Sequence, residues 1–220
     1  MDGNRLSKRV NNKTSLIFIC NPNNPTGTLL KREAMKDFCT AHDSQAMIFS
    51  DEAYYDFITE PDYPSMVELV KEGRNIIVSK TFSKVYGLAG MRIGYLVARP
   101  DIATRLKASV MANTNILAIE AAKEALRDDE FYKFSILKNK EAKQMIYNTL
   151  DGLELPYIPS HTNFVFFKTG RPVDQVIQSM QNEGVLIGRP FPPLLEWARI
   201  STGTLDQVQQ FSNALKKVMS

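Results

Sequence analysis

Histidine, cysteine and tryptophan are scarce, at two, two and one in 220 residues. His42 and His161 stand far apart with no cysteine or carboxylate cluster beside them, which removes the usual ligand spacings and argues against a metal site; each reads as a surface or packed side chain. Cys20 lies in an apolar run and Cys39 in a helical stretch, without CxxC spacing. Reduced, packed thiols and a cytoplasmic setting are therefore expected. An excess of one charge sign is also missing: 27 basic against 24 acidic residues leave a net charge of +3 with no long run of either sign. That balance gives no electrostatic case for nucleic acid or for an anionic membrane surface as a partner. No apolar stretch approaches the roughly 20 residues that span a bilayer, and the opening Met1-Asp2-Gly3-Asn4-Arg5 lacks the charged-then-apolar pattern of a signal peptide. Repeats, heptad arrays and low-complexity tracts are absent too. What is present is 44% hydrophobic and 23% charged, enough to bury one large core or two smaller ones and to argue against disorder.

The first half alternates short apolar runs with helical patterns. Leu16 to Cys20 is followed by a helix near Lys31 to Ala41, then by Ala46 to Phe49, Ile76 to Val78 and Ile93 to Ala98. This succession predicts βαβ units, and near-continuous hydrophobicity predicts strands covered on both faces of a largely parallel α/β sheet. From about Asp101 to Leu150 the pattern is helical, with Ala118, Ala121, Ala122 and Ala125 on a small-residue face, as expected of a long helix linking two domains. Pro156 to Pro159, a strand at Asn163 to Phe167, a helix near Val173 to Asn182, Val185 to Ile187, Ala198 to Ser201 and a terminal helix predict a smaller α+β unit. The expected division is residues 1–118 for a cofactor-type α/β domain and 119–220 for the C-terminal domain.

In open parallel sheets ligands bind beyond the carboxyl ends of the strands. Three such ends are unusually polar: Asn21-Pro22-Asn23-Asn24-Pro25-Thr26-Gly27, Ser50-Asp51-Glu52-Ala53-Tyr54 and Ser79-Lys80-Thr81-Phe82-Ser83-Lys84. Singly each has a plainer explanation, since Asn-Pro and Thr-Gly make turns, Asp-Glu opens a helix favourably, and one lysine is usually solvated. Together they place an amine, a carboxylate, a phenol, an amide and hydroxyls at adjacent strand ends of one sheet edge.

NPNNPTG, SDEAYYDF, TFSKVYGLAGMRIGY and ARISTGT occur in the order and spacing of fold-type I pyridoxal-phosphate aminotransferases, and the chain resembles most the histidinol-phosphate aminotransferase group, from Asn21 to Thr204. The resemblance implies that Lys84 holds the cofactor covalently and moves the proton at the substrate Cα. Chemically, that amine must shed its proton, and burial or a neighbouring cation would favour this. By the same resemblance Asp51 faces the pyridine nitrogen, whose protonation makes the cofactor an electron sink. Asp51 reads equally as a helix N-cap. Asn24 and Tyr54 match the donors to the phenolate oxygen, while Thr81, Ser83 and Arg92 match the phosphate ligands, where a guanidinium fork suits bidentate contact. Arg199 matches the clamp on the substrate carboxylate, Asn163 lies close to the same group, and Trp197 reads as packing.

Two departures from the family pattern bear on substrate and form. Asn24 follows a segment much shorter than the family's, which carries the glycine-rich phosphate turn, the ring-stacking aromatic and the dimer arm. Met1 thus reads as an internal start, a truncated gene product or a deliberate fragment, with an exposed sheet edge and uncovered apolar surface expected. Ser109 to Thr114 replaces the usual Pro-Tyr or Pro-Phe followed by Asn and Val, and Gly188-Arg189-Pro190-Phe191-Pro192-Pro193 is distinctive near the substrate's place. The function implied is transamination between an amino acid or phosphorylated amino alcohol and a 2-oxo acid, by a homodimer in the full-length form. The alternatives are a decarboxylase or lyase such as a phosphothreonine decarboxylase, an inactive fragment, and a ligand-sensing module, which the missing DNA-binding segment disfavours.

Overall fold

Four apolar runs form one sheet in the spatial order of the chain: β1 (Leu16–Cys20), β2 (Met47–Asp51), β3 (Ile76–Thr81) and β4 (Gly94–Val97). The computed structural model describes residues 3–219; Met1 and Asp2, part of the opening read for targeting, and Ser220 lie outside the described residues. β1, β2 and β3 run parallel, with Cys20 beside Asp51 and Asp51 beside Ser79. β4 runs antiparallel to β3, Thr81 facing Gly94. The mostly parallel α/β sheet expected from the sequence is present, with a reversed edge strand.

Three helices lie between or before these strands: α1 (Gly3–Ser7), α2 (Arg32–His42) and α3 (Val67–Lys71). α2 buries Met35, Phe38 and Cys39, the i, i+3, i+4 stripe of an amphipathic helix. These side chains join Ile17, Ile19, Ile48, Leu69, Ile76 and Val78 in one core. The expectation that every strand is covered on both faces is not met: Leu16 and Phe18 on β1 are 55% and 58% exposed, and Tyr95 and Leu96 on β4 are 47% and 48% exposed. The cause is one-sided cover, because the core helices pack on Ile17 and Ile19, and Phe18 stacks instead on Phe49 with centroids 5.0 Å apart.

The helical stretch from Asp101 to Leu150 is three helices rather than one, α4 (Pro100–Ala108), α5 (Ile116–Ala125) and α6 (Asp129–Gly152). Polar side chains make the breaks by offering N-caps to backbone donors: Asn115 Oδ1 accepts from the Leu117 amide at 2.9 Å, and Asp128 Oδ1 from the Phe131 amide at 2.8 Å. Of the alanine face, Ala118 and Ala122 are buried.

The last part folds as β5 (Tyr157–Ile158), β6 (Phe164–Lys168) and β7 (Trp197–Ser201) in an antiparallel sheet, with α7 (Val173–Asn182) and α8 (Leu205–Met219). Val185 to Ile187 carries no ladder pairing, although the Gly188 amide donates to the Arg199 carbonyl at 2.9 Å. Val165 and Phe167 pack with Ile146, Leu150, Val176, Met180, Phe211 and Leu215, and the Trp197 ring stacks on Phe166 at 5.2 Å. The chain divides into two compact units, one running to Pro22 and over Leu29–Tyr132, the other made of Asn23–Thr28 and the chain from Lys133 on.

Candidate active site

In the first unit the parallel register aligns the carboxyl ends of β1, β2 and β3, so their polar followers meet at one edge. Asp51 closes β2, and its Oδ1 accepts from the Ser79 hydroxyl and from the Ala53 amide, both at 3.1 Å. Among the described residues its Oδ2 has no hydrogen-bonding partner, which leaves one carboxylate oxygen for a ligand donor. Tyr54 is only 6% exposed, and the Lys84 Nζ stands 5.2 Å from its ring centroid. The chain turns immediately after β3: the Ser83 amide donates to Thr81 Oγ1 at 3.1 Å, the Gly87 amide to the Lys84 carbonyl at 3.0 Å, and the Leu88 amide to the Phe82 carbonyl at 2.9 Å. Gly87 sits at φ 68°, a conformation open to glycine.

Arg92 is exposed at the entrance to β4, two residues before Gly94, which faces Thr81. It adopts φ 53° and ψ 47°, uncommon for a residue with a Cβ, and its Nη1 donates to the Ala89 carbonyl at 2.7 Å. A Cβ on Gly94 would lie 2.6 Å from the Lys80 carbonyl oxygen, so the close approach of β3 and β4 requires glycine there. Tyr132 Oη donates to Asp56 Oδ1 at 3.0 Å, and burial, then the Asp56 charge, pushes that phenol well above its ordinary range.

In the second unit the structure joins two motifs 175 residues apart: Arg199 Nη1 donates to Asn24 Oδ1 at 2.8 Å. The Arg199 guanidinium also lies 5.1 Å from the ring centroids of both Phe164 and Phe191, an arrangement that presents a planar cation from a rigid sheet. Gly27 fixes the Asn24 turn, since at φ 72° a Cβ there would be 2.5 Å from Ser160 Oγ. The His161 amide donates to the Gly27 carbonyl at 2.9 Å. Asn163 precedes β6, with its carbonyl accepting from the Thr202 amide at 2.9 Å.

The structure thus gathers Asp51, Tyr54, Thr81, Ser83, Lys84 and Arg92 at one sheet edge, and Asn24 with Arg199 in the other unit. Sequence reasoning assigned no role to four neighbours. Ser79 orients Asp51. Glu52 and Lys80 form an ion pair at 2.8 Å with side chains 4% and 15% exposed. Buried Asn21 donates from Nδ2 to Tyr63 Oη at 2.7 Å and accepts from the Leu30 amide at 2.9 Å. Strand parity carried a signal for the first three, because pairing Asp51 with Ser79 sets Glu52 beside Lys80. Among the described residues no group of three or more His, Cys, Asp or Glu is placed to hold a metal, and no helix is long and apolar enough to cross a membrane.

A mostly parallel sheet whose carboxyl edge collects a lysine, a carboxylate, a phenol and hydroxyls has the fold of the fold-type I pyridoxal-phosphate transferases. Residues 1–215 match the family described as aminotransferase class I and II, and the chain belongs to that family, which depends on pyridoxal phosphate. The chain is 35% identical over 221 residues to a histidinol-phosphate aminotransferase of Caldicellulosiruptor saccharolyticus, covering 99% of this chain and 62% of that protein. It is similar to the crystal structure of histidinol-phosphate aminotransferase from Sinorhizobium meliloti in complex with pyridoxal-5'-phosphate, with 30% identity, a TM-score of 0.85, and 93% of this chain and 57% of that one covered. It is also similar to L-threonine-O-3-phosphate decarboxylase from Porphyromonas gingivalis, with 27% identity, a TM-score of 0.80, and 99% and 68% covered. The chain therefore spans less than two thirds of each of these two aminotransferases.

Proposed function

We propose that the protein is a pyridoxal-phosphate-dependent transaminase that moves an amino group between a phosphorylated amino alcohol of the histidinol-phosphate kind, or an amino acid, and a 2-oxo acid. The observation that carries this reading is the meeting of Asp51, Tyr54 and Lys84 at the carboxyl edge, with one Asp51 oxygen held by Ser79 and Ala53 and the other available. Bound there, pyridoxal phosphate supplies an electron sink for charge developing at the substrate Cα.

Lys84 would hold the cofactor covalently and would move the proton at the substrate Cα. Asp51 would keep the pyridine nitrogen protonated, with its Oδ1 already held by Ser79 and Ala53 so that little reorganisation is needed. Tyr54 would donate to the phenolate oxygen, and Thr81, Ser83 and Arg92 would receive the phosphate. Arg199 takes the substrate's acidic group in its planar fork, with Asn163 close by. The first unit serves as the cofactor domain and the second as the substrate-side domain. The exposed apolar residues Val110, Met111, Ile116 and Leu117 support a homodimer.

Supplying the protein with cofactor, histidinol phosphate and 2-oxoglutarate, and measuring glutamate formed, tests the reading. Glutamate formation that disappears in Lys84→Ala is expected; equal turnover by that variant would sink it. The similarity to a phosphothreonine decarboxylase supports the second reading, which requires carbon dioxide rather than a transferred amino group as the product.

A further inference from the structure

We infer that Glu52 and Lys80, an ion pair lying behind the edge just described, are positioning residues that set the attitude of Asp51 toward the cofactor. The inference rests on the proposed cofactor role of Asp51 and Lys84. Successive residues leaving a strand point to opposite sides, so Asp51 meets Ser79 on one side while Glu52 meets Lys80 on the other. The Glu52 carboxylate accepts on both oxygens: Oε2 from the Ser65 hydroxyl at 2.6 Å and from Lys80 Nζ at 2.8 Å, and Oε1 from the Met66 amide at 2.7 Å. Lys80 Nζ in turn lies 3.7 Å from the Tyr55 ring centroid, and the Tyr55 hydroxyl donates to the Tyr63 carbonyl at 2.8 Å.

These contacts fasten the end of β2 to β3 at the step where β2 leaves the sheet while Lys80 and Thr81 stay paired with β4, and the last backbone tie between β2 and β3 is the Glu52 amide to the Ser79 carbonyl at 3.1 Å. Asp51 is the residue before Glu52, and Thr81, Ser83 and Lys84 follow Lys80 within four positions. A slack end here rotates the Asp51 carboxylate away from Ser79 and changes the spacing between carboxylate and amine, with no contact between the pair and the cofactor. A largely buried ion pair held by several directional contacts suits such a task because they fix its geometry, whereas an apolar pair of similar size slides.

The test uses the full chain as Glu52→Gln, Lys80→Met, Lys80→Arg and the neutral double variant Glu52→Gln/Lys80→Met. Amide hydrogen exchange at Ala53, whose N–H is held by Asp51, is read without cofactor and normalised to Ile48 in the middle of the same strand. The visible band of added pyridoxal phosphate is titrated with pH in parallel. The double variant, which leaves no buried charge unpaired, is expected to melt near the wild type yet exchange Ala53 about tenfold faster and hold cofactor about tenfold more weakly. Lys80→Arg is expected to restore both. Unchanged Ala53 protection and an unchanged band titration in the double variant would overturn the inference. A wild type that gives no band with cofactor, but shows the Ala53 effect in the variants, would fault the cofactor reading and leave the clamp on Asp51 standing. Should Glu52→Gln or Lys80→Met fail to fold, the double variant and Lys80→Arg decide.

Discussion

Lys143 on α6 is 7% exposed, and its ammonium donates to the Ser160 carbonyl at 2.6 Å. Burial pushes this lysine down from 10.5 to about 8. Because the folded value lies below the unfolded one, the unfolded chain binds more protons between those limits, and stability rises with pH across that window. The full cost of holding the charge at neutral pH is about 3 kcal/mol, and roughly 2 kcal/mol of it is recovered between about pH 7.5 and about pH 9.5. Lys143→Met fills similar space and carries no such term. Urea unfolding of both proteins at the two pH values gives the difference directly, since phenols held high in the fold, such as Tyr63 at about 12, act alike in both. The expected result is a wild type that gains roughly 2 kcal/mol on the variant as pH rises. Parallel pH profiles would refute the reasoning and show that the ammonium is solvated.

Gly94→Ala drives a methyl to 2.6 Å from the Lys80 carbonyl, and a loss of about 2 kcal/mol or more is expected in denaturant unfolding. Gly27→Ala adds a clash with Ser160 to a positive φ; calorimetry is expected to show a fall of at least several degrees, equivalent to roughly 1 to 3 kcal/mol. Arg199→Lys removes the bond to Asn24 and the planar face over Phe164 and Phe191, so KM for the amino donor is expected to rise about tenfold or more in steady-state assays. Tyr54→Phe deletes the phenol beside Lys84, and a shifted pH titration of the cofactor band is the expected spectroscopic result.

The sheet edge was legible because strands end in abrupt changes of polarity: apolar Leu16 to Cys20, Met47 to Phe49 and Ile76 to Val78 give way at once to the residues that carry the chemistry. Parallel pairing then brings those ends together without further information. The reversal of β4 was not legible, since nothing in Tyr95, Leu96 and Val97 encodes direction. The one-sided cover of β1 escaped for a similar reason, as Leu16 and Phe18 read as core residues whichever face is packed. The breaks at Asn115 and Asp128 lay within a continuous helical pattern, where capping residues are easily taken for the polar face. The bond between Asn24 and Arg199 is a tertiary contact that no local pattern carries. Lys143 and the Glu52 and Lys80 pair were hidden because charged residues are ordinarily solvated.

The most direct measurement is to add pyridoxal phosphate to the purified protein, reduce with borohydride, and map the trapped adduct by peptide mass spectrometry. A single pyridoxyl modification on Lys84, with Lys80 unmodified, is the expected result. Modification scattered over surface lysines, or none at Lys84, would contradict the assignment of this sheet edge as the cofactor site.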